Sequence, residues 1–301
     1  MTNEENLSKE FSSLPYYEKV FHTIKTIDIV PEKENKNWSL SNLENLLSSS
    51  FEKAGKQALK DNQGVIYTTL SGGLDSTLAL AFLRKNFGGE KKIVTFTMGG
   101  DEDHPDIKFG RLASKKFKTE HYEFLPTLSE IKTGREDFKK ERSEEDQKEA
   151  IRKGSFDIFL LFKKIRSTGS QVKTIIVHDG IDEQMGGYFL HRKKQLNEKE
   201  RKENFRFFWQ ELKPQHLEGI IKTSQNFGFN LLFPYLEENL VRFIAQIPVE
   251  DRIDADREIG KVPLRKIAQE LGVPKGIVSR RKRGQNAMLE IEGFKKIAPK
   301  K

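Results

Sequence analysis

Two clusters in this chain consist of residues that do chemistry rather than build a core. The first is Ser71-Gly72-Gly73-Leu74-Asp75-Ser76, and the second runs His178-Asp179-Gly180-Ile181-Asp182-Glu183 and on to Gly186-Gly187-Tyr188. Without side chains, Gly72 and Gly73 let the backbone come close to a ligand, and consecutive N–H groups at a helix start present partial positive charge to an anion. The first cluster therefore reads as a cradle for phosphates. A Walker loop places Lys in such a turn, but here stands Asp75, and a carboxylate beside a polyphosphate is repulsive unless a divalent cation lies between them. Magnesium is implied. The alternative is an ordinary strand-to-helix turn with Ser71 as N-cap. In the second cluster Asp179, Asp182 and Glu183 crowd together where glycines bend the backbone. Buried acids are costly unless cations or donors compensate them, so metal and proton chemistry accounts for this stretch better than a core does.

These clusters need a frame to hold them. Val65 to Leu70 reads as a buried strand ending in the first cluster, and from Leu74 onward Leu78, Ala81, Phe82 and Phe87 recur at helical spacing up to Gly88-Gly89. Lys92 to Met98 is a second strand. Pro105 opens a helix with Ile107, Leu112, Ala113 and Phe117 inward, Glu120 to Leu125 is a third strand, and Val172 to Val177 is a fourth, ending at the second cluster. Strands alternating with helices predict a parallel sheet with right-handed crossovers, and ligands collect at the carboxyl ends of its strands. Met98 ends the second strand there, where it either touches an adenine or fills a gap in the core. A capping box at Ser41 to Glu44 starts a helix ahead of the first strand. Residues 1–40 read as a packing arm with a short strand at Thr26 to Val30, residues 41–290 as the main domain, and 291–301 as a basic tail. Thr127 to Gly154 reads as a charged lid or disordered loop.

Composition removes several classes. The 301 residues include no cysteine, which excludes thiolate nucleophiles, disulfides and cysteine-ligated metals. The longest apolar run, Phe156 to Phe162, is broken by Asp157 and is far short of the roughly 18 residues of a membrane span. The polar, acidic start MTNEENLSKEF lacks the features of a secretory signal, so the cytoplasm is the expected compartment. A net charge of +8 raises the question of nucleic acid, but the basic residues are dispersed and mixed with acids in Lys132 to Lys153 and Arg192 to Lys202, as on solvated helices or mobile loops. Nucleic acid is not the expected partner.

The S-G-G-L-D-S run resembles the pyrophosphate-binding loop of the ATP pyrophosphatase superfamily. Together with residues 178–188 it resembles the synthetase half of class B asparagine synthetases, whose counterpart there is G-[ED]-G-x-D-E-x-x-G-G-Y. Phe233-Pro234-Tyr235-Leu236 is similar to that family's P-[FY]-L segment, Gly260 to Lys266 to its K-x-x-L-R motif, and Arg280 to Gly284 to its R-x-K-x-G segment, so the likeness runs from Ser41 to Gln285. The resemblance implies an α/β fold of the adenine nucleotide α-hydrolase type, a parallel sheet with helices on both faces and a mainly helical C-terminal part. It implies ATP and Mg2+, adenylation of a carboxylate (aspartate or another acid) with release of pyrophosphate, and displacement of AMP by ammonia. On this pattern Leu70, Ser71, Gly72, Gly73, Asp75, Ser76, Met98, His178, Gly180, Arg280 and Lys282 bind ATP or pyrophosphate, and Asp75 and Asp182 hold magnesium. Lys261 stabilises charge on the α-phosphate and Asp179 takes a proton from the attacking nitrogen. Without the motif, Lys261 would read as a solvated surface lysine, and Arg280 and Lys282 either bind phosphate or close the domain.

Two departures stand out. Family members carry an N-terminal glutaminase domain with a catalytic cysteine, and neither is found here, so the expected nitrogen source is free ammonia or a separate glutaminase subunit. His178 stands where small residues are usual. The rival readings are a β-lactam synthetase-like cyclase, amidation of a cofactor or tRNA on the same scaffold, or an ATP-binding subunit without catalysis.

Overall fold

A computed structural model describes residues 15–140, 155–169 and 171–280. Helix α1 (Tyr16–Thr26) opens the described chain and α2 (Leu40–Asp61) follows. α2 buries Leu43, Leu47, Phe51, Ala54 and Ala58 along one side, the spacing of an amphipathic helix. Its N-cap is Ser39, whose side chain accepts from the Asn42 amide at 3.1 Å, so the helix starts ahead of the expected box at Ser41, and Glu44 pairs with Lys85 instead.

β1 (Val65–Thr69), α3 (Leu74–Phe87), β2 (Lys92–Met98), α4 (Pro105–Phe117), β3 (Glu120–Phe124), α5 (Leu128–Lys140), α6 (Ser155–Ser167) and β4 (Thr174–Ile176) come next. Beyond β4 the chain is mainly helical: α7 (Ile181–Met185), α8 (Phe189–Arg192), α9 (Glu198–Leu212), a π-helical turn (Lys213–Leu217) and α10 (Glu218–Asn226). β5 (Asn230–Leu232), a 3-10 turn (Pro234–Leu236), α11 (Glu238–Gln246) and α12 (Val249–Arg252) precede the antiparallel pair β6 (Ile253–Asp254) and β7 (Ile259–Gly260), and α13 (Val262–Glu270) and α14 (Lys275–Val278) follow.

Strands β1 to β5 form one parallel sheet in the order β3-β2-β1-β4-β5. Side chains alternate across it. Ile66, Ile93, Ile176 and Leu232 meet α2, α3, α4, α11 and α13 on one face, while Val94, Phe96, Met98, Ile175 and Leu231 meet α5, α6, α9 and α10 on the other. Burial on both faces suits the mostly apolar runs of β2 and β4, whereas β1 alternates buried and half-buried residues. The chain builds outward from β1 to β3 and then returns to lay β4 on the other side of β1, with Thr68 beside Ile176. The carboxyl ends of β1 and β4 therefore adjoin at the point where the strand order reverses, the place where such sheets bind ligands.

Several sequence expectations are corrected. Residues 27–30 form no strand; Ile27, Ile29 and Val30 are buried individually, because the Ile27 and Val30 carbonyls are taken by Trp209 and Arg206 rather than by a sheet. At β5 the Leu231 and Phe233 amides, the latter just past the strand, donate to the hydroxyls of Tyr17 (2.8 Å) and Tyr16 (2.6 Å) on α1. Leu112 is exposed, not inward. The charged stretch from Thr127 is helical in α5 as far as Lys140, held by Ile131, Gly134 and Phe138 against α6, with Phe138 edge-on to Phe156 at 5.5 Å. Its remainder, residues 141–154, lies outside the described residues. Of the charged segment Arg192 to Lys202, expected as solvated helix or mobile loop, residues 193–197 connect α8 to α9, and Asn197 and Glu200 form a capping box that starts α9. No helix among the described residues is long and apolar enough to cross a membrane.

Candidate active site

The loops leaving β1 and β4 open into one cavity of about 1230 Å³, closed on its far side by β7, α13 and α14. Sites for one small molecule run to roughly 300–1,000 Å³, so there is space for a nucleotide and a second substrate together. Leu70, Ser71, Gly73, Asp75, Ser76, Met98, His178, Asp179, Gly180, Asp182, Lys261 and Arg280 all line it. Gly72 does not, and Lys282 lies outside the described residues. Gly72 has φ +61° and a Cβ there would fall 2.3 Å from the backbone carbon of Phe109. Close passage of α4, not approach of a ligand, demands the glycine at this position.

The loop after β1 is anchored by Leu70, whose amide donates to Phe96 O at 2.8 Å and whose carbonyl accepts from the Thr97 hydroxyl. Ser71 Oγ accepts from the Gly73 amide at 3.3 Å and lies 3.2 Å from Ser76 Oγ. Gly73 is the N-cap of α3 and has no side chain with which to cap it, so the first turn keeps amides for an anion. Arg280 braces the loop from outside, donating to Ser71 O at 3.0 Å and to Asp106, with its guanidinium over the Phe109 ring. Met98 is buried in the core cluster and lines the cavity as well.

Lys261 is buried, not solvated. It occupies the N-cap of α13 at φ +61°, its amide donates to Met185 O, and its Nζ lies 2.5 Å from both Asp75 Oδ2 and Asp182 Oδ1. Burial alone would lower the Lys261 pKa, but the charges and hydrogen bonds of Asp182 and Asp75 outweigh it and hold the ammonium above its ordinary value. Asp182 sits in the first turn of α7, and Gly187 passes so close that a Cβ would lie 1.6 Å from Asp182 Oδ1. Beside them Tyr188 donates to Glu183 Oε1 at 2.6 Å.

Two carboxylates from the two loops thus converge on one cation position, filled here by an ammonium. The donor set fits magnesium: the oxygens are hard, Asp75 Oδ1 is buried without a hydrogen-bonding partner among the described residues, and magnesium takes one or two carboxylates alongside substrate phosphates. Among the described residues no group of three or more His, Asp or Glu side chains is placed to hold a metal by itself.

His178 follows β4 and turns Nε2 toward Thr69 O (2.8 Å) and Thr68 Oγ1 (3.1 Å). Burial lowers its pKa, so the ring is neutral, and the carbonyl contact puts the proton on Nε2. Asp179, next in the chain, meets His216 Nε2 at 2.5 Å. Sequence reasoning missed His216, which lies in a polar stretch without a motif. It also gave no role to Arg265, although this residue stands in the quoted K-x-x-L-R segment; Arg265 lines the cavity and ties Gly260 O to Val278 O across the start of α13.

The sequence matches the family model for asparagine synthase over residues 47–220 and 200–298. It is 30% identical over 220 residues to an asparagine synthetase [glutamine-hydrolyzing] of Triphysaria versicolor, covering 69% of this chain and 36% of that protein. It is 28% identical over 217 residues to the nodule asparagine synthetase [glutamine-hydrolyzing] of Pisum sativum, covering 68% and 35%. The chain thus spans about a third of the length of these relatives. Among solved structures, NMN synthetase from Francisella tularensis aligns over 84% of this chain and 79% of its own, at 13% identity and a TM-score of 0.45. With both acid-bearing loops and Lys261 inside the matched residues, the chain belongs to the asparagine synthase family.

Proposed function

We propose that the protein is an ATP-dependent, amide-forming ligase: it adenylates a carboxylate, aspartate first among candidates, with release of pyrophosphate, and passes ammonia to the activated acid to give asparagine. The observation that carries this reading is the meeting of Asp75 and Asp182 on one cation position beside the Ser71–Ser76 loop. In the first step a carboxylate oxygen attacks the α-phosphorus and the bond to the β-phosphate breaks. The Ser71 and Ser76 hydroxyls and the amides at the start of α3 hold the leaving pyrophosphate, while Lys261 places positive charge where the phosphates gain negative charge. Asp75 and Asp182 would hold magnesium, which supplies charge neutralisation for the departing diphosphate. In the second step the ammonia nitrogen bonds to the acyl carbon, the bond to AMP breaks, and Asp179 takes the released proton. The nucleophile of this step is ammonia, supplied free or released from glutamine by a glutaminase.

The test is turnover with ATP, magnesium, ammonium and aspartate carrying 18O in its side-chain carboxylate. The label should appear in AMP, with one pyrophosphate per asparagine. ADP in place of AMP, or unlabelled AMP, would overturn the reading.

A further inference from the structure

His216 stands on the only π-helical turn among the described residues, Lys213–Leu217, which joins α9 to α10 without a break. Such a turn inserts an extra residue and swings a side chain off the regular helix surface, and it recurs at functional sites. Pro214, which has no amide hydrogen, lies at its start. The swing brings His216 Nε2 to 2.5 Å from Asp179 Oδ1, across 37 positions of chain. Both side chains line the cavity and both are less than a fifth exposed, at 18% and 19%. A carboxylate on the loop after β4 can turn about two side-chain bonds; an imidazole N–H on one of its oxygens removes that freedom.

We propose that His216 is the positioning residue for Asp179. This rests on the reading given above, in which Asp179 accepts the proton of the attacking nitrogen. His216 donates from Nε2 to Oδ1 and sets the plane of the carboxylate, so that the proton leaves the nitrogen for Asp179 as the carbon–nitrogen bond forms and the bond to AMP breaks. It has no part in the first step, where the carboxylate substrate attacks phosphorus and no proton is moved.

The experiment separates the two steps with ATP, magnesium and aspartate, first without and then with ammonium chloride. In His216→Leu the burst of pyrophosphate without ammonium should stay within about twofold of wild type, while amide formation should fall by about 10- to 100-fold, within the range of a general base made less effective. His216→Gln, which keeps a donor at similar reach, should recover most of the loss, and His216→Asn, which is too short, should not. In the Asp179→Asn background His216→Leu should cost nothing further, because the group it positions is gone. If the leucine variant does not fold, the Gln and Asn pair gives the same split. An equal fall in both steps, no fall in amide formation, or a full additional loss in the Asp179→Asn background would overturn the assignment. Absence of pyrophosphate from the wild type would sink the underlying ligase reading as well; a failure confined to His216 leaves wild-type turnover intact.

Discussion

Lys261 Nζ stands 2.5 Å from Asp75 Oδ2, although 186 positions separate them in the chain. With Asp182 as its second partner the ammonium ties together the ends of β1 and β4 and the start of α13. Lys261→Met would leave two carboxylates facing each other in a largely buried place. Breaking such a group typically costs ~3–5 kcal/mol, and urea unfolding at pH 7 should register it. Magnesium should raise the melting temperature of this variant more than that of wild type, because a divalent ion then has the acids to itself. Turnover should fall at least ~100-fold. Asp75→Asn should abolish AMP formation while circular dichroism is unchanged.

Gly187→Ala puts a methyl group where Asp182 Oδ1 now lies, 1.6 Å from the ideal Cβ, with the Asp182 Cα only 2.8 Å away. The carboxylate must turn aside. AMP formation should fall by about 100-fold with a raised magnesium requirement, on the scale of misplacing one catalytic group. Gly89→Ala, where nothing lies within 4 Å, is the control and should behave as wild type.

Burial pushes the Asp157 carboxyl on α6 up to about 7. The folded chain therefore keeps a proton that the unfolded chain has lost above its ordinary value of 3.8. Stability carried by this group is complete below that value and drains away as pH rises through about 7, with a slope of at most ~1.4 kcal/mol per pH unit. Asp157→Asn removes this dependence. Denaturation midpoints between pH 5 and 8 should decline less in the variant than in wild type; parallel declines would refute it.

Arg252 is fully buried and donates to Ile247 O (2.8 and 2.5 Å), Ala245 O (2.8 Å), Ile29 O (3.0 Å) and Gln184 O (3.2 Å). It joins the arm, α7 and the end of α11 through their carbonyls. Burial pulls its pKa down to about 9, opposed by the charges of Glu34, Glu250 and Asp28, so the guanidinium stays charged near neutrality. Arg252→Met strands four acceptors at ~1–3 kcal/mol each, not fully additive, so a loss of more than ~3 kcal/mol should appear in guanidinium unfolding.

Legibility in the sequence followed how local the cause was. Val65 to Gly88 could be read because β-branched strand residues, a glycine turn and helical spacing all act within a few positions, and the carboxyl edge of the sheet followed from strand and helix alternation. Asp75 and Asp182 stand out in the sequence as carboxylates that need compensation, and both meet Lys261 in the fold. α5 is not legible as a helix because its charges conceal a narrow buried stripe, Ile131, Gly134 and Phe138, which only the facing α6 makes apolar enough to hold. Thr26 to Val30 resembles a strand in sequence because β-branched residues look alike whether they join a ladder or fill separate pockets. His216 carried no local sign at all: its role depends on a π-helical turn and on a partner from another element.

The tyrosines of α1 have an effect on how this molecule meets others. At β5 the outward-facing amides of Leu231 and, just past the strand, Phe233 are already spoken for by phenolic oxygens, so a strand from a second copy would find no donors there to dock on. Two hydroxyl groups thus do the work of a sixth strand, and they finish the border of the sheet without inviting a neighbour to extend it.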